Sequence, residues 1–170
     1  MAAPTKGQVA SLLVLFAVLL LSGRLAFGYP NYEISLGLNF TGTTLSDSGF
    51  IPPDVDGAVG PNHVVELVNG RYRVYDINTG AVLADSSLDS FWTSAGVTPS
   101  NYAFDPRVIY DPDSQRWFAV SVDNPGNPNR FLLAVSKTSD PLDGWTAVAI
   151  DSDSDDTHWA DFPTLGVDAD

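Results

Sequence analysis

Between residues 54 and 150 the apolar positions alternate with polar ones or gather in short runs rich in Val, Ile and aromatic side chains. That is the period of a strand, not of a helix. His63 to Val68 (HVVELV) and Tyr72 to Asp76 (YRVYD) flank Asn69-Gly70. Asn-Gly between two such runs predicts a β-hairpin, because both residues tolerate a positive φ. Asn78-Thr79-Gly80 predicts the next turn, and Ala81 to Ala84 a short outer strand. The second half follows the same plan. Strands are predicted at Arg107 to Tyr110, Arg116 to Val122, Phe131 to Ser136 and Trp145 to Ile150. They are separated by the turn Asp111-Pro112-Asp113-Ser114, the loop Asn124 to Asn129 and the turn Thr138 to Gly144. Upstream, Glu33 to Phe40 (EISLGLNF) predicts one more strand, followed by the polar stretch Thr41 to Gly49. No segment after residue 28 reads as a helix of useful length.

The halves superpose as sequence. Asp56-Gly57-Ala58-Val59 opens the first unit, Asp105-Pro106-Arg107-Val108 the second, and Asp161-Phe162-Pro163-Thr164-Leu165 reads as the opening of a third. The aspartates are 49 and 56 residues apart. A repeat of about 50 residues holding four short antiparallel strands predicts a β-propeller. A β-sandwich with evenly spaced strands is the competing architecture; an Asp recurring in register favours the propeller. The predicted fold class is therefore all-β, a propeller of four-stranded antiparallel blades. Residues 29–53 are an N-terminal strand and linker, and 54–170 a partial propeller with blades at 54–104 and 105–160 and a third from 161. A ring closes with about four to eight blades, so the sequence reads as the leading piece of a longer protein.

The N-terminus has its own pattern. Lys6 and the free amine give a positive start, Val9 to Leu21 is apolar except for Ser11, and Ala26-Phe27-Gly28 places small residues at a cleavage site. An apolar run of 13 residues falls short of the roughly 20 that a helix needs to cross a bilayer. Residues 1–28 are thus predicted to be a secretory signal peptide cut near Gly28, which makes the chain secreted, with no membrane span after its removal. An uncleaved anchor is the alternative, and Arg24 interrupts the run it would need.

Charge narrows the classes of partner. Residues 29–170 hold all 21 acidic and only six of the eight basic residues, a formal charge of −15. The charge argues against nucleic acid and anionic membrane surfaces as partners, since both attract Lys and Arg. Of the acids, 19 are Asp; only Glu33 and Glu66 are Glu. Asp favours turns, where its short side chain bonds nearby backbone N–H groups, so the excess agrees with a turn-rich β protein. It is also compatible with bound Ca²⁺, which takes carboxylate oxygens, although solubility outside the cell is the better explanation. The chain has no cysteine, which excludes a thiolate nucleophile, an Fe–S cluster and a Cys-based zinc site.

Ile51 to Gly60 (IPPDVDGAVG), Asp105 to Phe118 (DPRVIYDPDSQRWF), Leu133 to Pro141 (LAVSKTSDP) and Asp161 to Val167 (DFPTLGV) resemble a group of secreted bacterial β-propeller proteins without assigned activity. A weaker likeness runs to five-bladed glycoside hydrolases and sialidase-like propellers. Ser139-Asp140 to Gly144-Trp145 is similar to a loosened Asp-box, the turn between outer strands of sialidase-like blades. The hydrolase likeness implies a catalytic acid that is usually Glu, and no Glu stands at a matching place here.

Asp56, Asp105 and Asp161 are the candidate catalytic residues. In a propeller they would converge on one mouth of the axis, and glycoside hydrolysis uses two carboxyls flanking the bond. The plainer alternative is that each bonds backbone N–H groups and fixes the start of a strand. Asp54, Asp56, Asp105 and Asp161 are the candidate metal ligands, for Ca²⁺. The run Asp151 to Asp156 lacks the Gly and distal Glu of an EF-hand loop and reads as solvated. His63 and His158 read as ordinary strand-end and turn residues. Trp92, Trp117, Trp145, Tyr72, Tyr75, Tyr102 and Tyr110 carry aromatic surface suited to stacking on sugars, but Trp117 and Trp145 fall where blades pack together. Trp159, just before Asp161, is the candidate ligand contact. The predicted function is an extracellular binding or interaction module for carbohydrate or surface proteins. The alternatives are a glycoside hydrolase-like enzyme with axial carboxylates and a structural domain of a large surface protein.

Overall fold

The computed structural model describes residues 35–168; the predicted signal peptide, and Glu33 and Ile34 of the first predicted strand, lie outside them. The chain divides into two units between Leu36 and Gly37, and every element named here belongs to the second. Eight strands form two four-stranded antiparallel sheets, each a simple meander in chain order. The first holds β1 (Asp56–Val59), β2 (His63–Val68), β3 (Arg71–Asp76) and β4 (Val82–Ser86). The second holds β5 (Ala103–Asp111), β6 (Arg116–Asp123), β7 (Arg130–Ser136) and β8 (Trp145–Asp151). The chain is therefore mostly β, as the alternation predicts. Among the described residues no helix is long and apolar enough to cross a membrane.

The aspartates do make the turns. Asp76 Oδ1 accepts the backbone N–H of Asn78 and of Thr79, both at 2.9 Å. Asp111 does the same for Asp113 and Ser114 at the β5–β6 turn. Asp140 accepts the N–H of Leu142 and starts the 3-10 turn Pro141–Asp143. These donors favour the ionised carboxylate, and they hold Asp76 and Asp111 below the usual range, with the Thr79 and Ser114 side chains as the leading cause in each case.

Two elements depart from the sequence reading. Leu88–Ala95 is a helix (α2; α1 is the single turn Leu45–Ser48) in the connection between the sheets. Ser87 caps it by accepting the N–H of Ser90, and Gly96 ends it at φ 110°. Leu88, Phe91, Trp92 and Ala95 fall at i, i+3, i+4 and i+7, so one face is apolar, and it is buried. The described part of Glu33–Phe40 forms no strand. Instead Phe40 stacks near Tyr75 with ring centroids 5.0 Å apart, and the chain from there crosses the outer face of the first sheet. Thr43 donates from N and Oγ to Glu66, whose carboxylate also accepts Tyr75 Oη. Arg73 pairs with both Asp47 and Asp85 at 3.2 Å.

One core joins both sheets and α2. The first sheet contributes Val65, Leu67, Tyr72 and Val74; the second contributes Val108, Trp117, Leu132 and Trp145 among others; the helix adds Phe91 and Trp92. Trp92 donates its indole N–H to Ser121 Oγ at 3.2 Å, which satisfies the one polar atom it buries. The opposite face of the second sheet, by strand alternation, carries two cross-strand rows: Ile109, Phe118 and Val135, then Val120, Leu133 and Val148. Val148 is half exposed there.

Candidate functional site

Each sheet opens on the same local conformation. Asp54, two residues before β1, has φ 41°; Asp105, in the bulge of β5, has φ 50°; Phe162 has φ 49°. Left-handed backbone is uncommon outside glycine, and Asp is among the residues that tolerate it. The shared geometry therefore falls on Asp54, Asp105 and Phe162, not on the Asp56, Asp105 and Asp161 register that matching letters suggest. Phe162 is carried in that conformation under the Arg107 guanidinium, 4.3 Å above its ring.

A buried asparagine from each middle hairpin holds the following lead-in. Asn69 Oδ1 accepts the N–H of Asp105 at 2.7 Å, while its Nδ2 donates to Asp54 Oδ2 at 2.6 Å and to the Pro52 carbonyl. Asn129 Oδ1 accepts the N–H of Ala160 at 3.0 Å and its Nδ2 donates to the Ala160 carbonyl at 2.7 Å. Sequence reasoning took Asn69-Gly70 as a turn signal with two positive φ values. Only Gly70 has one, and Asn69 is there for its carboxamide. Nothing in the sequence pairs Asn69 with Asn129 except their place before the third strand of each sheet.

These clamps gather three carboxyls. Asp105 is only 6% exposed, accepts the N–H of Phe162 at 3.0 Å, and has Asp161 and Asp54 beside it. Burial, then the neighbouring Asp161 and Asp54 carboxyls, push Asp105 up to about 6. Asp56 is not part of the group, because its Oδ2 accepts the N–H of Val108 at 2.7 Å and ties β1 to β5. So of the predicted catalytic residues two are brought together and one is turned away, and of the predicted metal ligands three converge. Among the described residues no group of three or more His, Cys, Asp or Glu side chains is arranged to hold a metal ion. The Asp151–Asp156 run is occupied locally: Asp153 accepts the N–H of His158, and Asp155 that of Thr157. His158 is exposed and bonded to Thr157, and His63 lies 3.9 Å from Asp140.

The same end of the second sheet carries a row of aromatic rings. Phe50 and Tyr102 are 6.0 Å apart, Tyr102 and Phe104 5.6 Å, and Phe104 and Trp159 6.4 Å, centroid to centroid. The ends of the row reach solvent, with Trp159 42% and Phe50 37% exposed, while Phe104 is buried beneath. Trp159, the predicted ligand contact, is one exposed end of this row. Phe50 and Phe104 were not recognised, since the row draws on three separate connections. Trp92, Trp117, Trp145, Tyr72 and Tyr75 are core. Beyond the carboxyls, an open cleft of about 560 Å³ runs between β1, β5 and Thr164-Leu165. No protein family, curated protein or solved structure matches the chain.

Proposed function

We propose that the chain is the leading part of an exported β-propeller that serves as a carbohydrate-binding module. The observation that carries the binding reading is the row Phe50–Tyr102–Phe104–Trp159, an aromatic surface whose two ends reach solvent. Aromatic faces stack on the apolar faces of sugar rings, and a few placed polar groups fix orientation. Binding is favoured over glycoside hydrolysis because Asp56 is turned away to the Val108 N–H and no Glu stands in the group.

The propeller reading is supported by repetition of packing. With Asp54 set against Asp105, the buried Val65, Leu67, Tyr72 and Val74 of the first sheet correspond to Phe118, Val120, Leu133 and Val135 of the second. The first set is covered by the second sheet; the second set is the face to be covered by a third. Next to β5, Arg107 Nε donates to the Pro163 carbonyl at 3.2 Å, and Thr164 and Leu165 line one cleft with β1 and β5.

Two results are expected. Protein recovered from the medium of a secreting host should begin at Tyr29 by N-terminal sequencing; retention of residues 1–28 would remove the export reading. In pull-downs on cellulose, xylan, chitin and chitosan, at least one polysaccharide should retain the chain. Trp159→Ala should weaken that retention about tenfold, the loss of one exposed stacking contact, with an unchanged melting curve. Retention by none of the four, or retention indifferent to Trp159, would overturn the binding reading.

A further inference from the structure

The surroundings of the aromatic row decide what charge its ligand carries. Asp161 stands two residues past Trp159 and is exposed; Asp54 stands four past Phe50 and is half-buried; Asp105 follows Phe104. The basic residues of the second unit are engaged or distant. Arg71 and Arg73 serve Asp47 and Asp85 on the outer side of the first sheet. Arg107 lies on Phe162, and Arg130 binds Asp123 and the Thr98 carbonyl. Arg116 and Lys137 stand at the turns of the second sheet opposite the row. An anionic glycan would meet carboxylates here with no cation aimed at it, at a cost that rises as water is excluded.

We propose, on the footing of the carbohydrate reading, that the row selects amine-bearing sugars, such as glucosamine oligomers. Pyranose faces lie on Trp159 and Phe50, and the ammonium groups are matched by the carboxylates of Asp161 and Asp54. Charge complementarity is the argument: the row is flanked by acids within a chain of charge −15 after residue 28.

The test is titration calorimetry of the exported chain with three pentamers: glucosamine, N-acetylglucosamine and galacturonic acid. The glucosamine pentamer should bind at least about tenfold tighter than its acetylated form at low salt, with a gap that narrows as salt rises. Asp161→Asn should shrink the gap, and Trp159→Ala should weaken both amine-bearing and acetylated pentamers. A charge effect spread over the whole acidic surface would leave both variants like the parent and would overturn the proposal. Equal binding of the acetylated pentamer, or preference for the galacturonate, would overturn it while leaving the carbohydrate reading standing. Binding of none of the three would remove both.

Discussion

Trp117→Ala is expected to destabilise the chain by about 3–5 kcal/mol, the usual loss for truncating a buried Trp. A domain of this size has a total stability of roughly 5–15 kcal/mol, so a large fraction of the molecules would be unfolded at moderate urea. Trp117 is fully buried in β6 and belongs to the core shared by both sheets. Its indole N–H donates to the Ser139 carbonyl at 2.9 Å, which anchors the turn before β8, and Tyr110 lies 4.8 Å from its ring. On the other side it fills the space left by Gly60. A Cβ at Gly60 would overlap the indole, while the backbone there is not left-handed, so the conflict is one of volume alone. The indole is thus one of the pieces of the second sheet that reach the first. Urea unfolding followed by circular dichroism measures the loss, and a value below about 1 kcal/mol would show that the sheets do not depend on this ring. A double-mutant cycle sharpens the point: Gly60→Ala should be markedly less harmful in a Trp117→Phe background, because the smaller ring makes room for the methyl group.

How much of this was legible in the sequence differs by element, for physical reasons. β2, β3 and β5 to β8 were readable because alternation marks which face is buried and because Asp, Asn and Gly mark each turn. The helix Leu88–Ala95 was hidden by its length, eight residues, and by Asp, Ser, Phe, Trp and Thr, none of them strong helix formers. Its signals were Ser87 before an i, i+3, i+4, i+7 pattern and Gly96 after it. The all-β class and two of the three carboxyls followed from the recurring Asp. The repeat register did not, because matching Asp56 to Asp105 aligns identical letters, whereas the structure aligns identical φ. Val55, Pro106 and Pro163 follow the left-handed residue in the three lead-ins, and that weak pattern was the available clue. The aromatic row had no sequence signal. Phe50, Tyr102 and Trp159 meet only because Asn69 and Asn129 pin their connections to the same end of the sheets, a consequence of tertiary packing rather than of any local motif.

Asp105→Asn is expected to stabilise the chain near neutral pH, by an amount on the order of 1–3 kcal/mol. The sign follows from the direction of the shift. Asp105 titrates at about 6 in the fold against an ordinary 3.8, so the folded chain holds this proton more tightly than the unfolded chain. Its contribution is fully favourable below about pH 4, is lost as pH rises from about 4 to 6, and stays lost above that. Asparagine keeps an oxygen for the Phe162 N–H, adds donors toward Asp54 and Asp161, and tolerates the left-handed φ of 50°. It removes only the charge. The two chains should therefore be equally stable near pH 3.5 and diverge between about pH 4 and 6, with the variant above. The comparison must be made as a difference. Asp123, held low by the Arg130 guanidinium against the opposing pull of its burial, makes both chains lose stability as pH falls. Asp105→Ala separates charge from hydrogen bonding: it discards the acceptor for Phe162 and places a Cβ without a polar side chain at positive φ, so it should destabilise at every pH. If Asp105→Asn proved less stable than the parent at pH 7.5, the carboxylate would have to be compensated by a donor the geometry does not contain, and the upward shift of Asp105 would be refuted. If it proves more stable, the fold tolerates a crowded acid at the mouth of its strands that a single substitution would relieve.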